Sequence, residues 1–225
     1  MTRKSKALIA TASILALFGG GSIAAESIIA SQIESRIKSE LPKATGVSAS
    51  ISLIEMVQSL FSDSIKSANI KIDSFALKGN TTETSIEIAA KNISKSKPTI
   101  VGSLEVISTI PAATILQSAE FGDAEIVDNT LQVSAGAGGL GRAILVPKFS
   151  DSQIYFEIKG ISLFGNEIPA SSLPADAQSQ IKEKSLRQLD IPNGMKLESV
   201  SLTPKGLSVI LRGTNVQLGT LGSSL

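Results

Sequence analysis

The feature that most constrains this chain is a two-residue period of apolar side chains that returns in run after run, each bounded by a short turn signal. It is clearest near the C-terminus, where Leu207, Val209 and Leu211 alternate with Ser208, Ile210 and Arg212. One side of that stretch is therefore strongly apolar. The stretch before it, Leu189 to Leu202, is punctuated at Pro192 and Gly194. Pro204-Lys205-Gly206 makes the reversal between the two strands, since Pro presets φ and Gly accepts φ > 0.

The same period opens at Asn69. Ile70 and Ile72 start a strand, and Phe75 with Leu77 continues it one residue out of phase, which predicts a bulge. Gly79-Asn80 predicts a hairpin turn. The returning strand then carries Ile86, Ile88 and Ala90 against Thr84, Ser85, Glu87 and Lys91. A polar linker, Asn92 to Pro98, leads to a strand with Ile100, Leu104, Val106 and Ile110, and Pro111 suits the first turn of a short helix through Leu116. Four compact runs follow. Ala124–Val127 and Leu131–Ala135 flank a turn at Asp128-Asn129, while Ala143–Phe149 and Gln153–Ile161 flank Ser150-Asp151-Ser152. Ile154, Phe156 and Ile158 are expected on one face, with Tyr155, Glu157 and Lys159 on the other. Gly165-Asn166 turns the chain again before Ile168.

Helical spacing appears in three places. Ile29, Ile33, Ile37 and Leu41 recur every four residues from Ser27 to Leu41, with Glu34, Arg36, Lys38 and Glu40 around the rest, until Pro42 stops the helix. After a short strand at Val47, Ala49 and Ile51, the run Leu53 to Phe61 predicts a second, short helix. Pro174 to Leu189 predicts a late one, with Ala177, Ile181, Leu186 and Leu189 as a partial stripe. Helices at the ends and antiparallel strands between them give an α+β chain, not a parallel α/β one. No boundary stands out after the N-terminal segment, so a single domain over residues 25–225 is expected, its helices and cupped sheet enclosing an apolar interior.

Residues 1–24 have the three parts of an export signal. Arg3, Lys4 and Lys6 are basic, Ala7 to Phe18 carries no charge, and Ser22-Ile23-Ala24 offers small residues for cleavage before Ala25. An uncleaved anchor is the alternative. Gly19-Gly20-Gly21 weakens it, because spanning needs about 20 predominantly apolar residues. Removing the segment takes three basic residues and leaves a near-neutral body, which gives no electrostatic case for nucleic acid. An extracytoplasmic location follows.

With no Cys and no His, disulfides, structural zinc and imidazole catalysis are excluded. Gly136 to Gly141 fits GxGxxG, but Arg142 to Pro147 after it reads as a strand, where a dinucleotide site needs a helix. A hairpin loop is the expectation. Ser35/Lys38, Ser94/Lys97 and Ser179/Lys182 fit SxxK without the partner motifs of serine acylases. Asn80 and Asn92 open formal glycosylation sequons, which imply surface loops. No carboxylate pair or metal set emerges, so neither enzyme activity nor a cofactor is expected.

What remains is a surplus of aliphatic surface with 4% aromatic residues. Such a lining suits an acyl chain, at about 0.8 kcal/mol per buried CH₂, and equally suits an ordinary filled core. The chain from Glu26 to Leu218 resembles the LmeA-type phospholipid-binding proteins of the actinobacterial cell envelope, a family also met in cyanobacteria. The matching residues are the opening helix with Glu26, Ile29 and Ile33, and the Val47-to-Ile51 strand. The ending matches as well: Leu189-Asp190-Ile191-Pro192-Asn193-Gly194-Met195-Lys196-Leu197, Gly206-Leu207-Ser208-Val209 and Val216-Gln217-Leu218. Ser62-Asp63-Ser64 departs from the Gly many members carry there. The resemblance implies a curved antiparallel sheet wrapped around a long N-terminal helix, tubular-lipid-binding (TULIP-like), with a second helix in the C-terminal half and an apolar cavity. It implies non-enzymatic phospholipid binding in support of envelope lipid or lipoglycan assembly or transport, with a membrane surface as partner. Ile29, Ile33, Ile37, Ile86, Ile88, Leu104 and Val106 are the candidate lipid-binding residues. The alternative is a structural or interaction module of the envelope with a filled core and no ligand.

Overall fold

The computed structural model of the chain describes residues 31–51 (except 32, 36, 40 and 42), 64–75, 83–118 (except 97), 123–135 and 140–218. The export signal expected at 1–24, the helix expected at 53–61 and the turn expected at Gly79-Asn80 lie outside the described residues. Antiparallel strands dominate, in two open sheets, with short helices alongside them. In chain order, helix α1 takes the described residues of 31–39. It is followed by β1 Ser48–Ile51, β2 Ser64–Phe75, β3 Thr84–Ser94, β4 Ile100–Pro111 and α2 Ala112–Ser118. Then come β5 Ala124–Val127, β6 Thr130–Ala135, β7 Gly141–Ser150, β8 Gln153–Leu163, β9 Asn166–Pro169 and α3 Ala175–Ser185. The chain closes with β10 Arg187–Gln188, β11 Met195–Thr203 and β12 Gly206–Gln217.

The chain groups into two compact units, each discontinuous in sequence. One, the meander unit, takes Thr109–Leu189 and Ser199–Val209. The other, the long-strand unit, takes the described residues up to Ser108, Asp190–Glu198 and those from Ile210 onward.

The first sheet has the order β1-β2-β3-β4-β12-β11. Within the long-strand unit, β2 and β3 pair Ile70 with Ile88 and Ile72 with Ile86, so their inward rows are aliphatic. The bulge expected before Phe75 is present as a register shift between Ile72 and Phe75. β2 begins at Ser64, ahead of the expected Asn69, because Ile65 is buried and paired with Ile93. β2, β3 and β4 change phase at one level. Buried positions jump from Ile65 to Ala68, from Ala90 to Ile93 and from Val101 to Leu104. Asn92 marks that level with φ +54, and a Cβ on Gly102 would approach Asn92 Cβ to 3.0 Å. The phase change corrects one expectation: Ile100 does not share the face of Leu104 but is 41% exposed, and Val101 takes the inward place. On α1, the Ala49 N–H donates to Glu34 Oε1 at 3.0 Å, which ties the helix to β1.

The meander unit has the strand order β10-β8-β7-β6-β5, and β9 also pairs with β8. Asp128 (φ +48) and Asn129 (φ +60) form the expected turn between β5 and β6, as small polar residues that tolerate the left-handed region. Pro147 sits in a strand with neighbours on both sides. It is tolerated there because β6 starts at Thr130, and the register of Leu131 with Leu145 leaves no β6 residue opposite Pro147.

The late helix is shorter than expected. α3 ends at Ser185 instead of running to Leu189, and Arg187 and Gln188 pair with Ile154 and Gln153 as β10. Ser185 explains the stop. Continuing that register would set it opposite Phe156, and its hydroxyl accepts the Phe156 N–H at 2.8 Å while donating to the Ile181 carbonyl at 2.7 Å. A side chain thus completes the β8 edge where the backbone is still helical. α3 also covers Tyr155, which is buried and not on an open polar face as its alternation predicts, with Lys182 Nζ 4.4 Å from the ring centroid. The next turn falls at Phe164-Gly165, one residue before the expected Gly165-Asn166, since Asn166 already pairs with Leu163. No helix among the described residues is long and apolar enough to cross a membrane.

Candidate functional site

The apolar candidates rest on α1, β3 and β4. Ile29 lies outside the described residues. Ile33 is half-buried on α1, and Ile37, one turn on, is fully buried. Ile86 and Ile88 on β3 and Leu104 and Val106 on β4 are each between 0 and 2% exposed, and the two strands are neighbours. The alternation that made them candidates thus puts them on the inward side of one sheet. That surface is wider than the candidate set. Ile70 and Ile72 extend it onto β2 through their pairing with Ile88 and Ile86, and Leu211, 1% exposed, carries it to β12. Their own two-residue period was the available signal for all three. Phe75 at the end of β2 is the aromatic residue among them, and Thr84 and Ser108 are the buried hydroxyl-bearing residues of β3 and β4. A surface of this kind packs against hydrocarbon of any source, the protein's own side chains included, and offers few hydrogen bonds for orientation.

The opposite face of the same strands carries a shallow hollow of about 310 Å³, lined by Ser48 and Ser50 of β1, Asn69 and Lys71 of β2, Glu87 of β3 and Glu105 of β4. Two of its charged residues, Lys71 and Glu105, are held in ion pairs. Lys71 Nζ is 3.0 Å from Asp73 Oδ1, and the hydrogen bond to Asp73, then the charges of Asp73 and Glu87, hold the ammonium above its ordinary range against a smaller desolvation effect. Arg212 on β12 bridges Glu105 at 2.5 Å and Glu198 of β11 at 2.6 Å, one cation between two carboxylates across three adjacent strands. The hydrogen bond to Glu105 raises the guanidinium further. Such rows are the usual solvated side of a half-buried antiparallel sheet.

The sequence motifs resolve as local structure. Gly136 to Gly141 joins β6 to β7, neighbours whose register pairs Ala135 with Gly141, so the loop leads from strand to strand, as expected. Ser35 and Lys38 are exposed on α1, and Ser179 is exposed on α3. Ser94 Oγ accepts the Ile100 N–H at 2.8 Å and donates to the Ser96 carbonyl at 3.4 Å, a brace across the β3–β4 connection. Arg142 holds Asp123 at 3.2 Å and lies 3.1 Å from Glu125, the latter an ion pair too bent for a hydrogen bond. Among the described residues no group of three acidic side chains is placed to hold a metal ion. Comparison with protein-family models, with curated proteins and with solved structures gives no match.

Proposed function

We propose that the protein is a non-enzymatic binder of phospholipid or a related acyl-chain lipid, working outside the cytoplasm at the cell envelope. The observation that carries this reading is the aliphatic face formed by Ile70 and Ile72 of β2, Ile86 and Ile88 of β3, Leu104 and Val106 of β4 and Leu211 of β12. In this reading the sheet curves around α1 as in the tubular lipid-binding proteins, and the acyl chain lies between that face and Ile33 and Ile37. Transfer of lipid or support of lipoglycan assembly is the corresponding role. A hydrocarbon chain gains about 0.8 kcal/mol per CH₂ against such a wall, with no polar anchor required.

A second reading, an envelope module with a filled core, is favoured by the near-zero exposure of Ile37, Ile86, Leu104 and Val106. Lipid extraction of the purified protein followed by mass spectrometry separates the two. Stoichiometric phospholipid is expected, and a lipid-free extract from protein that also refuses added phospholipid sinks the first reading. A pair of variants locates the lipid. Ile33→Trp should displace it with little change in the stability of lipid-free protein, whereas overpacking a filled core costs about 1–3 kcal/mol. Ile33→Ala in a filled core should lower stability by about 2 kcal/mol or more.

A further inference from the structure

The least economical residue in the meander unit is Phe164. Leu163 pairs with Asn166, so Phe164 and Gly165 are the two central residues of a tight hairpin turn, at φ +51 and +82. That turn type takes Asn, Asp or Gly at its first central position, because a side chain with φ > 0 crowds its own backbone. An aromatic residue there is strained, and burial does not compensate it: Phe164 is 83% exposed. Strain held at an exposed aromatic points to use by a partner and not to stability of the fold.

The turn also projects. A Cβ built on Gly165 would meet nothing within 4 Å. Leu140, 63% exposed, precedes Gly141, whose partner across the β7–β8 pair is Leu163. Leu140 and Phe164 therefore stand at the same end of that pair, apolar and unshielded. Gly165 and Asn166 beside them carry no charge, and the first charges inward are engaged with one another: Arg142 with Asp123 at 3.2 Å and with Glu125 at 3.1 Å, and Lys159 with Glu167 at 3.9 Å.

The geometry points to the Phe164–Leu140 tip as a prong that inserts into the surface of a lipid bilayer. A stable protein interface requires roughly 1,000 Å² or more of complementary surface, and two side chains on a narrow convex turn cannot supply it. A bilayer needs no matching shape. Phe and Leu bury in the boundary between headgroups and acyl chains wherever they arrive, and the charges at the base of the turn are already engaged within the protein. The inference deepens the membrane partner of the proposed function by naming the residues that touch it, but it does not require a lipid in the interior.

The chain contains no Trp, so Phe164→Trp gives a single-site reporter. With vesicles of phosphatidylcholine and phosphatidylglycerol, its emission should shift to the blue and be quenched by brominated lipid. Phe149→Trp, near the opposite end of the β7–β8 pair, should respond to neither. Phe164→Asn removes the strain while leaving the turn intact, so it should melt higher than wild type yet bind the same vesicles about tenfold more weakly. Unchanged emission of the Phe164→Trp reporter on vesicles, equal quenching at both positions, or undiminished vesicle binding by Phe164→Asn each overturns the prong. A blue shift that follows protein concentration without vesicles overturns it too, in favour of a second copy. Failure of the interior lipid site would appear only in the extracts and would leave these results as they are.

Discussion

At the scale of single residues, backbone geometry sets the sharpest expectations. Gly206 has φ +139, and a Cβ there would collide with the Ile110 carbonyl oxygen and come within 2.8 Å of the Ala112 nitrogen. Neither atom can step aside, since the Ala112 N–H is already bonded to the Lys205 carbonyl at 3.0 Å. Gly206→Ala should therefore lose on the order of 3 kcal/mol in urea denaturation. Gly165→Ala, also at positive φ but with open surroundings, should lose only about 1–2 kcal/mol. Ser185→Ala strips the Phe156 N–H of its acceptor and should cost about 1–3 kcal/mol, with α3 released from β8 as the visible sign in amide exchange. Lys71 supplies a pH dependence. A group whose pKa is raised on folding contributes below its unfolded value, ordinarily 10.5, and that contribution disappears as pH climbs through the folded value. The difference in urea midpoint between wild type and Lys71→Met should be small at neutral pH, because the pair is exposed. It should vanish in strong alkali or high salt.

At the scale of elements, the hairpins carry the fold. Asn129→Val forces a β-branched residue into the left-handed region and should cost about 1–2 kcal/mol, whereas Asn129→Gly should be nearly neutral; thermal melting reads both. That turn was legible in the sequence, as were the bulge before Phe75, the Asp151-centred turn and the closing pair β11–β12. Each depends on residues adjacent in the chain. What was not legible depends on residues far apart. Ile100 and Val101 are both aliphatic, so only the crossing of Asn92 and Gly102 between neighbouring strands decides which points inward. Ala177, Ile181 and Leu189 keep a helical spacing past the true end of α3, and pairing with β8 overrides it. Tyr155 alternates like a surface residue because α3, which covers it, arrives only after the next turn. The candidate site was legible to the same depth. The period-two pattern marks Ile86, Ile88, Leu104 and Val106 as inward, but hydrocarbon of the protein and hydrocarbon of a lipid ask for the same side chains.

At the scale of the whole molecule, the inward rows of the first sheet should dominate stability. Leu104→Ala, at a side chain 1% exposed, should cost about 2–5 kcal/mol and, if an acyl chain occupies the adjoining space, less in the lipid-loaded than in the lipid-free protein. Calorimetry with and without extracted lipid measures the difference. The order of strands in that sheet has a further consequence, which is kinetic. β12 takes its place beside β4, yet Glu105 and Arg212, bonded across that seam, are 107 positions apart in the chain. The second sheet fills the interval with hairpins that close over two or a few residues. Short loops close quickly and distant pairings slowly, so the inserted meander should gain protection first and the β4–β12 seam last. Until β12 has left the ribosome, the apolar rows of β2, β3 and β4 have no final strand beside them. A chain halted anywhere before Gly206 would carry that unfinished edge for its whole lifetime, as a ready template for the same edge on another such chain.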